Sequence, residues 1–113
     1  MRRKTPLTNS PPYAVEQVLK NLGANLRTAR LRRNLTLEQA ASKIGAGRRA
    51  VIDAERGKPT TSAVVYMALL WAYDLLASVE TIADPARDLE GLARSRTRAR
   101  ARTSRTVSRD DDF

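Results

Sequence analysis

The sequence predicts an all-α fold: a small five-helix domain between a basic N-terminal arm and an arginine-rich C-terminal tail. Between Tyr13 and Asp84, apolar residues recur at helical steps rather than in alternation. Helix caps and breakers punctuate that span at short intervals. It contains no alternating strand-like run and no hairpin turn pair.

Residues 1–12 (MRRKTPLTNSPP) are basic and rich in Pro, Ser and Thr, and read as a flexible arm. Ser10 before Pro11 and Pro12 is a helix-start signal. From Tyr13 to Arg33, the residues Val15, Val18, Leu22, Leu26 and Ala29 mark one helical face. Gly23 costs about 1 kcal/mol relative to Ala and is expected to divide a short leading helix from a main one over 22–33. Asn34 tolerates the left-handed conformation and ends that helix. Thr36-Leu37-Glu38-Gln39 fits the capping-box pattern, so a second helix spans 36–44 and stops at Gly45. Gly45-Ala46-Gly47 is a tight turn. A third helix covers 48–56, with Val51 and Ala54 facing the core, and Gly57-Lys58-Pro59 breaks it. Thr60, Thr61 or Ser62 caps a fourth helix that runs through Val64, Val65, Ala68 and Leu69 to about Tyr73. Leu75 to Ala83 forms the last short helix, closed by Asp84-Pro85. The folded domain is therefore residues 13–84, and 85–113 form a tail.

The chain has 113 residues, with 21 Lys/Arg against 12 Asp/Glu. A net charge of +9 favours a polyanionic partner. The absence of Cys excludes disulfides and thiolate metal sites. With no His either, the commonest general base and metal ligand is missing, and no phosphate loop or paired carboxylates stand in for it. An enzyme is disfavoured, and no cofactor or metal is expected. No apolar run is long enough for a membrane span and no signal peptide is recognisable, so a cytoplasmic protein is expected. Charge also divides the domain. Residues 22–58 hold nine bases and three acids, whereas 59–84 hold no base and three acids. The first three helices thus offer a face to an anion, and the last two suit core and subunit contact.

Two short helices joined by a Gly-containing turn, 36–44 and 48–56, have helix-turn-helix spacing. In that arrangement the first helix crosses the phosphate backbone and the second enters the major groove N-terminus first. Arg48 and Arg49 hold that leading position, and Arg can bond guanine O6 and N7 with two hydrogens at once. A plain helical bundle with a basic surface fits the spacing as well.

Residues 22–76, through "LGANLRTARLRRNLTLEQAASKIGAGRRAVIDAERGKP" and "YMALLWAYDLL", resemble the lambda-repressor-like (Xre/Cro) helix-turn-helix family. The resemblance implies a sequence-specific DNA-binding repressor. The DNA-facing set on this reading is Arg27, Thr36, Gln39, Gly47, Arg48, Arg49, Ile52, Asp53, Arg56 and Lys58. For Asp53, an arginine-pairing or solvated role is favoured over accepting a bond from cytosine. The resemblance also implies that Arg30 pairs with Glu55, tying the first helix to the recognition helix. Leu37, Ala40 and Gly47 depart from the family's usual Gln, Leu and Ser, which bears on the operator sequence more than on the fold. The further stretch "LLWAYDLLASVETIADPARDLEGLARSRTRAR" is similar to the HipB-like antitoxins of this family. That implies the antitoxin of a type II toxin–antitoxin system, which represses its own operon and neutralises a HipA-type Ser/Thr kinase toxin.

A core of this size is marginal alone, so a homodimer on an inverted-repeat operator in double-stranded DNA is expected. Val65, Leu69, Trp71 and Leu75 are its expected core or dimer residues. The alternatives are a stand-alone Xre-family regulator without a toxin and a non-specific basic nucleic-acid-coating protein. The tail repeats Arg at alternate positions from 94 to 102 and ends in Asp110-Asp111-Asp112. A solubilising disordered segment, a phosphate-binding one, and one ordered on a protein partner all fit it. As a strand, it would place those arginines on one face.

Overall fold

The structure, a computed structural model, describes residues 6–105; the side chains of residues 104 and 105 are not described. Among these residues every regular element is helical. The α-helices are α1 (Pro6–Asn9), α2 (Tyr13–Arg32), α3 (Leu37–Ile44), α4 (Arg48–Glu55), α5 (Ala63–Ala72) and α6 (Leu89–Arg105), with a 3-10 helix over Leu76–Thr81 between α5 and α6. The chain divides into two compact units, with the boundary between Ala77 and Ser78.

In the first unit, α4 is the centre. It packs against α2, α3 and α5, and α3 also packs on α5. The core is built from Leu26 and Ala29 of α2, Ala40 and Ala41 of α3, Val51 and Ala54 of α4, and Tyr66, Leu69 and Leu70 of α5, with Tyr73 after it. The alanines let short helices approach closely, and the tyrosines and leucines fill the space between them. Burial raises the Tyr66 and Tyr73 phenols above their ordinary pKa. The Tyr66 hydroxyl donates to the Lys58 carbonyl at 3.1 Å. The Tyr73 hydroxyl is buried with no hydrogen-bond partner among the described residues.

Several elements end where side-chain chemistry requires. Asn34 takes φ 55° after α2, and the Leu35 N–H bonds back to the Arg30 carbonyl at 3.2 Å. The α3 capping box is complete: the Gln39 N–H donates to Thr36 Oγ1 at 3.0 Å and the Thr36 N–H to Gln39 Oε1 at 2.9 Å. Gly45 ends α3 in the left-handed region at φ 70°.

Other expectations need correction. Gly23 does not divide α2, which is continuous from Tyr13 to Arg32. A Cβ at Gly23 would lie 2.6 Å from the Ala54 and Glu55 carbonyl oxygens, so the missing side chain is the space that the end of α4 occupies. Gly57, at φ 67°, makes the matching approach to the backbone of Leu19 and Lys20. Only the C-terminal part of the predicted α2 face is core, because Val15 and Val18 are exposed. Ser10 is not a cap; Pro12 holds that position, and Pro6–Asn9 is a helical turn within the predicted flexible arm. Residues 1–5 of that arm lie outside the described residues. Ser62 occupies the α5 cap position without a side-chain cap bond. The last predicted helix is a tighter 3-10 segment that starts just after Asp74 at φ 61° and is followed by Ala83 at φ 60°. Of the residues expected in the core or at a dimer contact, Leu69 is fully buried and Val65 half-buried, whereas Trp71 is 61% exposed and Leu75 39%.

In the second unit, the tail is helical over residues 89–105 instead of lacking structure of its own. The start is specified locally. The Asp88 carboxylate accepts from the Gly91 N–H at 2.9 Å, and a Cβ at Gly91 would collide with that carboxylate. Residues 106–113, including the terminal aspartates, lie outside the described residues.

Candidate nucleic-acid interface

The site is assembled from α3, the Gly45–Gly47 turn and α4. Gly47 occupies the cap position of α4 without a side-chain cap bond, and its α-carbon faces open space. Arg48 and Arg49 open the helix with side chains 56% and 71% exposed. Arg48 Nε lies 3.0 Å from Glu38 Oε2 on α3, an exposed pair that costs little to open. Asp53 is half-buried one turn below. Its Oδ1 accepts no hydrogen bond among the described residues but sits 3.7 Å from Lys58 Nζ and 4.0 Å from Arg49 Nε. This carboxylate therefore trims the positive charge at the head of α4 and draws Arg49 and Lys58 together. Ile52 is half-buried beside it, and Arg56 is exposed where α4 ends.

Opposite the exposed arginines, α4 is held by its buried side. Val51 and Ala54 are fully buried, and Glu55 reaches back to α2. Arg30 Nε donates to Glu55 Oε2 at 2.6 Å and Arg30 Nη2 to Oε1 at 3.1 Å. Arg30 Nη1 donates to the Leu35 carbonyl at 2.9 Å. Both side chains of the pair are only 8% exposed. The bond to Glu55 raises the Arg30 pKa further, so the guanidinium stays charged although buried. Arg30 is thus subtracted from the nine bases of 22–58 as a partner for an external anion.

The remaining sequence-predicted residues divide by role. Thr36 and Gln39 spend their side-chain oxygens on the capping box, which leaves the Gln39 amide nitrogen outside it. Arg27 is exposed on α2. One contact was not anticipated. Arg33 lies 5.7 Å from the Tyr73 ring centre and donates to the Tyr73 carbonyl at 2.8 Å and to the Ala29 carbonyl at 2.9 Å. It clasps the end of α5 to the end of α2. Arg33 and Tyr73 are forty residues apart, so no local pattern announces the contact.

Among the described residues no group of His, Cys, Asp or Glu could hold a metal ion, and no helix is long and apolar enough to cross a membrane. Compared with protein-family models, curated proteins and solved structures, the chain matches none.

Proposed function

We propose that this chain is a sequence-specific DNA-binding transcriptional repressor that enters the major groove with α4. The observation that carries this reading is the two-sidedness of α4. Its buried side is fixed to three neighbouring helices, while Arg48 and Arg49 project from its N-terminal turn, preceded by a glycine turn and α3. A helix presented in this way can place two guanidiniums at base edges without moving the core.

The chain acts as a homodimer. Val64 and Trp71 lie on one face of α5 at 70% and 61% exposure, with Ala68 half-buried between them. Water contact with so large an aromatic is relieved when a second copy covers it. In the cell the dimer serves as the antitoxin of a HipA-type Ser/Thr kinase. This last step rests on the resemblance of residues 69–100 to HipB-like antitoxins.

Titration of the full chain against DNA from upstream of its own gene, with and without a HipA-type kinase, tests the reading. Wild type is expected to protect an inverted repeat, and Arg48→Ala/Arg49→Ala to abolish that protection while its thermal melt stays the same. Equal affinity for promoter and random DNA would defeat the repressor reading. Failure of the kinase to co-purify would leave a stand-alone regulator.

A further inference from the structure

The arginines of α6 alternate in sequence, and on a helix that alternation has a consequence. Two residues correspond to about 200° of rotation. Arg94, Arg98 and Arg102 therefore form one row along α6, and Arg96 and Arg100 form a second row on the opposite side. Successive members of a row are about 6 Å apart along the axis. All five are exposed. Arg94 is paired with Glu90 at 2.6 Å, and the other four have no ion-pair partner among the described residues. Within each row, like charges four residues apart repel, so the helix stands ready for an anion.

We propose that α6 is a second DNA-binding element, which lies lengthwise in the major groove of duplex DNA with one arginine row against each phosphate wall. The inference goes beyond the function assigned to α4 and does not depend on it. The major groove is about 12 Å wide and admits one helix of about that diameter. Residues 93–103 between the rows are only Ala, Ser and Thr, small enough for the helix to sit deep. Other partners fit less well. A flat anionic membrane would be met by a helix with one basic and one apolar face, and here both opposite faces are basic. A protein groove would require apolar anchors at helical spacing, and past Leu92 the helix has none larger than Ala. Duplex RNA has a major groove too deep and narrow for side chains to enter.

The test is the salt dependence of full-chain binding to a random-sequence DNA duplex, followed by fluorescence anisotropy. Each neutralised phosphate contributes about 0.9 to the slope of log affinity against log salt. Arg98→Gln/Arg102→Gln and Arg96→Gln/Arg100→Gln are each expected to lower that slope by about 1.8, one row as much as the other. Ala101→Pro, which keeps every charge but breaks the helix, is expected to lower it as well. The same losses are expected in the Arg48→Ala/Arg49→Ala background, which separates this inference from the reading of α4. An unchanged slope, a loss confined to one row, no effect of Ala101→Pro, or equal losses on duplex RNA would each overturn it.

Discussion

Replacing Glu55 by alanine deletes the carboxylate that receives two guanidinium bonds, at 2.6 and 3.1 Å, from a side chain only 8% exposed. The Arg30 charge cannot leave with it, and only the Leu35 carbonyl remains as an acceptor. Breaking a buried pair from one side costs about 3–5 kcal/mol, because the surviving ion is left without its counter-charge. Domains of this size are stable by about 5–15 kcal/mol, so the variant should keep its fold with a much reduced margin. At about 4–8 °C per kcal/mol, its melting temperature should fall by at least about 12 °C. Glu55→Gln keeps the shape and one acceptor oxygen and should fall between alanine and wild type. Arg30→Met/Glu55→Leu removes both charges and should cost less than Glu55→Ala alone. Urea titration followed by far-UV circular dichroism reads these values, with the slope unchanged if only stability has moved. A loss below about 1 kcal/mol for Glu55→Ala would refute the reasoning, since exposed pairs contribute that little. So would a cost for Arg30→Met/Glu55→Leu as large as that of Glu55→Ala.

Gly23→Ala should destabilise by about 1–3 kcal/mol in the same titration, although helix propensity alone predicts a gain of about 1. A gain would mean that α2 does not touch the end of α4. Tyr73→Phe removes a buried hydroxyl without a partner and should be neutral or stabilise by about 1 kcal/mol; a clear loss would reveal a hydrogen bond. The raised phenol pKa of Tyr66 and Tyr73 means that the folded state holds their protons more tightly than the unfolded chain does. Stability should therefore be insensitive to these groups below about pH 10 and fall above it, and the fall should shrink in Tyr73→Phe. Trp71→Glu should turn the proposed dimer into a folded monomer in sedimentation equilibrium, and an unchanged mass would remove α5 from the interface.

The sequence is most legible where a residue acts on its immediate neighbours. Thr36 with Gln39, Asn34 and Gly45 mark helix ends through bonds and torsions that span a few residues, and the structure places them there. Val51 and Ala54 are legible for the same reason, since a short helix between two breaks has only one apolar side. Legibility fails where the partner is distant in the chain. Gly23 looks like a break until the α4 carbonyls stand where its side chain would be. Arg33 looks like one more surface base until the Tyr73 ring is beneath it. For Trp71 the sequence leaves core and dimer contact open, because the whole of α5 is apolar, which hides the side that faces outward. For α6, composition leaves disorder, phosphate contact and ordering on a partner open, yet Asp88 caps the helix and alanine interleaves its charges.

The division of α4 sets what mutation can change in this chain. Val51, Ala54 and Glu55 hold the helix, and Arg48 and Arg49 face out from it. Ile52 and Asp53, both half-buried, lie between the two groups. Drift at the outward positions can therefore proceed at nearly constant stability, while the inward ones are confined by volume and counter-charge. If α4 reads DNA as proposed, two turns of helix let a lineage exchange one target for another without passing through an unfolded ancestor.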